Sequence, residues 1–181
     1  MVDGVTKELV PAKEFSVKSL GNTTLPADNP AEADKFRRQY LETNRKVTGA
    51  QEYFAEVRSR LNKIEQTIKA SMGADPKLLE KVDAIDAKFN DLSILLSGNK
   101  SISKRNYNQT PAISDRLDNI AWGIWQSTSN IPDTHKQSLK VVEGQIARFS
   151  SALDAIVNGE LKELENELDK IGAPWTPGRK P

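Results

Sequence analysis

The sequence predicts an all-α fold: an up-and-down bundle of about four helices, two long and two short, with a short β-like segment at its N-terminal side. Two observations predict it. From Pro30 to Ser71 and from Thr134 to Ile171, apolar residues recur every three or four positions almost without interruption, the spacing that gathers them on one face of a helix. Between these stretches lie two shorter apolar stripes bounded by Pro, Gly and Asn, and helices joined by short polar turns pack antiparallel, crossing at about 20°.

The first element is residues 13–20, where Phe15 and Val17 alternate with Ser16 and Lys18 behind an Asp3-Gly4 turn signal. This reads as a strand, and a lone strand needs a sheet to join. Residues 1–28 are therefore expected to be the remnant of a preceding β domain and its linker, and residues 29–181 a helical bundle with a Pro-rich tail. Asn29-Pro30 then supplies an N-cap and a proline at the first helical position. Phe36, Tyr40, Val47, Ala50, Phe54, Val57, Leu61, Ile64 and Ile68 follow in a seven-residue repeat that Asn44 interrupts, a rod of about 60 Å ended by Gly73. Asp75-Pro76 repeats the start signal for a helix about half as long, with Leu78, Leu79, Val82, Ile85, Phe89, Leu92 and Leu96 on its stripe and Gly98 at its end.

Asn99 to Gln109 is polar and lacks an apolar period, which makes it the candidate mobile loop. Thr110-Pro111 opens the third helix, carrying Ile113, Leu117, Ile120, Ala121 and Ile124, and Pro132 lies in the break after it. In the last helix Leu139, Val142, Ile146, Phe149, Leu153 and Ile156 keep one register, and Val157, Leu161, Leu164, Leu168 and Ile171 keep another. The slip falls at Asn158-Gly159, so the two halves should face different neighbours or the helix should unwind there. Gly172 and Pro174 close it. The two short helices together nearly match either long one, so they either fold back as separate legs or stack end to end; the habit of successive elements to pair puts folding back first.

Composition excludes several function classes. The chain has 181 residues, 37% of them hydrophobic, enough for one modest core. Its 26 Lys and Arg against 25 Asp and Glu give no field to gather nucleic acid or an anionic membrane. It has no cysteine, so disulfides, thiolate metal sites and cysteine nucleophiles are out. No secretory signal opens the sequence, and no stretch nears the roughly 20 apolar residues of a membrane span.

Chemistry has few candidates. His135 is the only histidine, and a catalytic triad would need it, but its place in a first helical turn reads as solvated. Glu160, Glu163, Glu165 and Glu167 flank the leucines at the spacing of a solvent face, and a paired-acid site needs a cleft between its carboxyls. Lys100, Lys104 and Arg105 with Tyr107, like Arg37-Arg38, are too sparse for a phosphate or nucleic-acid site and read as solvated. No phosphate loop, HExxH or EF-hand spacing occurs, so no cofactor or metal is expected. Trp122 and Trp125 share one side of the third helix; the plain reading has them plug a bundle end, and the alternative makes them an aromatic anchor for a partner. Trp175 in the tail faces the same choice.

Three segments carry a resemblance: Leu20-Gly21-Asn22-Thr23-Thr24-Leu25-Pro26; Ile113-Ser114-Asp115-Arg116-Leu117 running on to Gly123-Ile124-Trp125-Gln126-Ser127-Thr128-Ser129; and Gly172-Ala173-Pro174-Trp175-Thr176-Pro177-Gly178-Arg179. Together they resemble the C-terminal region of large bacterial BNR-repeat, sortilin-type β-propeller proteins, often labelled glycosyl hydrolases. The resemblance implies a parent with its own signal peptide, hence a periplasmic or extracellular location, whose propeller carries any hydrolytic residues; no catalytic residue transfers to this chain. A propeller fold does not by itself establish an activity. The expectation is a non-catalytic module in which Trp122, Trp125, Trp175 and Arg179 fix the bundle ends or their dock on the propeller, and Arg116 pairs with Asp115 or Asp118. The alternative is an interaction protein that self-associates through overhanging parts of its long helices.

Overall fold

The computed structural model describes residues 10–18, 20–105 and 107–174. It contains helix and irregular chain, with no strand among those residues. Helix α1 spans Pro30–Ala70, α2 Lys77–Ser97, α3 Lys100–Ser103, α4 Ile113–Gln126, α5 Asp133–Ile156 and α6 Lys162–Lys170, with a π turn, Val157–Leu161, joining the last two into one rod. Asn29 caps α1 through its side chain, which accepts the Glu32 N–H at 3.2 Å. Gly73, Gly98 and Gly172 adopt φ of 86°, 75° and 63°, left-handed conformations that stop each helix where the sequence places its end.

Each helix except the single turn α3 contributes a stripe in strict three-four alternation. On α1 the buried positions are Ala33, Phe36, Tyr40, Thr43, Val47, Phe54, Val57, Leu61, Ile64 and Ile68. Thr43, next to the expected interruption at Asn44, holds the register instead: its hydroxyl lies 3.4 Å from Glu143 Oε1, so the only polar side chain on the stripe has a partner. The legs meet at Phe54 of α1, whose ring stands edge-on to Phe89 of α2 and Phe149 of α5 at centroid distances of 5.5 and 5.6 Å. Aromatic pairs prefer this edge-to-face geometry.

The four helices of substantial length form three legs. Arg58 of α1 reaches Asp86 and Asn90 of α2, and Arg37, three heptads earlier on the same flank, donates to the Ser127 carbonyl at the end of α4. The opposite flank of α1 serves the third leg throughout, Gln39 bonding to Glu143 and Arg60, again three heptads on, to Glu165. Helices α2 and α4 thus stack end to end as one antiparallel leg. This corrects the expected fold-back, and the cause is coverage. A folded-back α4 would lie beside α2 and leave the α1 stripe from Ala33 to Val47 bare, whereas stacking buries it. It also leaves no uncovered overhang on the long helices among the described residues, the surface that the self-association reading needed.

The junction between α2 and α4 is closed by its own bonds. Asn99 caps α3, Gln109 accepts the Asn99 N–H at 3.1 Å and donates to Ser103 Oγ at 2.6 Å, and Ala112 is buried against Gly98. The candidate loop is therefore a bonded connector. In the last rod the register slip is absorbed by the π turn. Ile156 and Leu161 are five apart, and a turn with i→i+5 bonding takes up one extra residue, so Leu161, Leu164 and Leu168 stay fully buried on the same face.

The expected strand over 13–20 is not formed. The described residues there are irregular, and Phe15 and Val17 are 85% and 86% exposed, because no described segment offers a sheet edge to pair with.

Candidate functional site

Helix α4 is fixed from within and bare outside. Ile113, Leu117 and Ile120 are buried, Ile124 packs against them, and the Asp115 carboxylate accepts the Ala112 N–H at 2.9 Å, holding the first turn. On the outer face Trp122 is 66% and Trp125 89% exposed, beside Asp118, Ala121 and Gln126. Neither tryptophan plugs a bundle end. Their three-residue spacing puts them on a side of the helix away from the Ile113–Leu117–Ile120 stripe, so packing the core cannot bury them.

The Ser127-Thr128-Ser129 segment ties this end together. Ser127 and Ser129 share a hydroxyl contact at 2.7 Å, and the Ser129 N–H donates to Ser127 Oγ at 3.1 Å. Thr128 Oγ1 donates to the Leu25 carbonyl at 3.3 Å, while Asn130 accepts the Asp28 N–H at 2.9 Å and donates to the Asp28 carboxylate at 2.5 Å. The chain entering α1 is thereby tethered beside the tryptophans. Lys136 and Glu32, 2.8 Å apart, join the starts of α5 and α1. Their bond and mutual charge attraction lower the Glu32 pKa and raise that of Lys136.

Several expected roles change. Arg116 pairs with no carboxylate among the described residues: its Nε is buried without a hydrogen-bond partner. Neighbours one and two positions along a helix do not face each other, and Asp115 is engaged in capping while Asp118 lies close enough to Tyr40 to act on its hydroxyl. Burial, with Asp118 adding its charge, raises the Tyr40 pKa. His135 is half-buried rather than solvated. Its Nε2 lies 2.1 Å from where a Cβ would stand on Gly123, so that glycine gives the ring its seat. Trp175 and Arg179 lie outside the described residues. Pro174, just before them, follows α6 at the end of the bundle opposite Trp122 and Trp125.

The acids read as a solvent face are largely inter-leg ties. Glu165 is buried, and Arg60 grips both its oxygens at 2.6 Å; Lys81 meets Glu167 at 2.6 Å, and Lys88 pairs with Glu160. Sequence reasoning missed Glu165. The signal was available in its place directly after Leu164, one step off the stripe, where a long side chain reaches a neighbouring leg. An open groove of about 620 Å³ runs between α1 and α5 along Lys46, Gly49, Tyr53, Ala147 and Ser150. Of the two carboxylates on it, Glu143 is taken up by Gln39 and Thr43, and Asp154 stands at the same wall. Among the described residues no three His, Asp or Glu gather as metal ligands, and no helix is long and apolar enough to cross a membrane. Comparison with models of protein families, with curated proteins and with solved structures finds no match to this chain.

Proposed function

We propose that this chain is a non-catalytic helical module that docks onto the body of a larger exported protein, a glycosyl hydrolase-like β-propeller by the sequence resemblance, through the outer face of α4. The observation that carries the reading is the exposure of Trp122 and Trp125 on a helix whose inner face is fully packed. Together they leave roughly 300 Å² of side chain in water, about 7 kcal/mol of gross stabilisation once covered and before the costs of association. Tryptophan anchors of this kind concentrate binding energy at interfaces. Among the described residues Glu143, Glu160, Glu165 and Glu167 are tied to side chains of neighbouring legs, and His135 is wedged against Gly123. None of these offers an acid and base converging on a cleft, which favours docking over catalysis.

The test compares the 181-residue chain with the protein of the complete reading frame that contains it, each with and without the Trp122→Phe and Trp125→Phe pair, so that the difference in emission reports the α4 pair. In the longer protein the emission should shift to the blue and iodide quenching should fall. Equal quenching in the two proteins overturns the docking reading. Light scattering separates the rival: a stable dimer of the short chain whose formation shields the tryptophans establishes self-association. Turnover of a glycoside by the short chain, abolished by replacing one carboxylate, contradicts the non-catalytic assignment.

A further inference from the structure

We infer that residues 13–18 are a donor strand, which adds to the open edge of a β-sheet in the docking partner while the α4 tryptophans cover the surface beside that edge. The inference rests on the docking reading above and adds the kind of surface that is met. Phe15 and Val17 point to one side and Glu14, Ser16 and Lys18 to the other when the segment is extended, the period-two pattern of a half-buried strand. No backbone group of residues 10–18 or of Leu20 takes part in a hydrogen bond, so a whole row of donors and acceptors stands open. The limits of the pairing are written in the chain: Pro11 has no N–H to give, and Gly21 turns out of the extended region at φ 64°.

Position supports the same partner. The Leu25 carbonyl and Asp28 are bonded to Thr128 and Asn130 just past Trp125, and the five residues from Leu20 to Leu25 reach at most about 18 Å. Leu20, Trp122 and Trp125, each at least 66% exposed, therefore lie toward one end of the molecule, and Phe15, ten residues from Leu25, is held within about 36 Å of that tether. A helix laid into a groove would want apolar residues three and four apart, and this segment has them two apart. Edge addition is the recognition mode that uses both the open backbone and alternate side chains. Six residues span about 20 Å of edge.

Hydrogen exchange on the complete-reading-frame protein and on the 181-residue chain tests this. At an edge only every second N–H points into the sheet, so alternate amides of residues 13–18 should exchange slower on the order of 100-fold in the longer protein. Ser16→Pro and Val17→Pro probe the two parities, and one should release the tryptophans to iodide while the other is tolerated. If the tryptophans are shielded but these amides exchange as fast as in the short chain, strand donation is wrong and docking stands. If both stay open, both readings fall. Equal protection of the segment in the short chain would mean that it pairs within that chain or between its copies, which also overturns the inference. Because exchange is read on the unmodified proteins, a proline variant that fails to fold does not blunt the test.

Discussion

Deleting Gly159 should leave the fold intact and make it no less stable. An α-helix turns by about 100° per residue, so four residues return a side chain to within about 40° of its starting direction and five leave it about 140° away. Ile156 and Leu161 are separated by five, and the π turn Val157–Leu161 corrects the direction. Removing one residue makes the spacing four, which an unbroken α-helix satisfies while Leu161, Leu164 and Leu168 stay inside. Loss of a mid-helix glycine contributes about 1 kcal/mol, offset in part by an axial slide of at most about 1.5 Å in the residues that follow. The pairs of Glu160, Glu165 and Glu167 all lie beyond the deletion and move together with their leucines. The control deletes Ser151, about two turns upstream. An unbroken helix then turns Asp154 and Val157 inward in place of Leu153 and Ile156, and burying that carboxylate costs about 4 kcal/mol or more. Urea titrations followed by helical circular dichroism give both values from midpoint and slope. A loss above about 2 kcal/mol on deleting Gly159 would refute the register argument and assign the π turn another purpose.

Arg60→Met leaves Glu165 buried without its cation and should cost about 3 kcal/mol, while Arg60→Met with Glu165→Leu should be near neutral; a coupling below about 0.5 kcal/mol in the double-mutant cycle refutes the tie. Gly123→Ala should destabilise the protein because its methyl group enters the space of the His135 ring; in a His135→Ala background the same change should stabilise it by about 1 kcal/mol through helix propensity. Tyr40 has its pKa raised by burial and by Asp118, so above about pH 10 the unfolded chain gives up this proton more readily than the folded one and stability falls as pH rises. Tyr40→Phe should make that alkaline decline shallower, and an unchanged decline contradicts the assignment.

The stripes of the bundle were legible because three-four spacing admits few other readings, and Asn29, Gly73, Gly98 and Gly172 marked the helix ends by local backbone chemistry. What sequence could not resolve was relative placement. Whether α4 lies beside α2 or beyond it depends on how much of the α1 stripe each arrangement covers, a property of the whole bundle and of no single segment. The slip at Asn158-Gly159 was visible, but a turned stripe and an unwound helix have the same sequence signature, and burial of Leu161 to Leu168 against α1 and α2 selected the second. Arg116 was misjudged through adjacency in sequence, which on a helix separates side chains. The alternation at Phe15 and Val17 was real as pattern and not as structure, since a strand exists only where another chain segment completes its bonds.

The same accounting indicates where function is to be sought. Every stripe position is occupied, and the flanks of the legs are joined by Arg58, Arg60, Lys81, Lys88 and Lys136 to their partners, so the rods themselves have little left to offer a ligand. Of the large apolar side chains exposed among the described residues, Leu41, Tyr53, Met72, Ile94 and others are scattered singly, whereas five lie in residues 10–25 and Trp122 and Trp125 stand together on α4 where the chain enters the bundle. An interface at that end uses the bundle as an arm. With α1 of 41 residues running about 60 Å, Pro174 stands about that far from the α4 tryptophans, and the unbroken heptads, the Phe54 cluster and the inter-leg ion pairs are the means by which such an arm is kept straight.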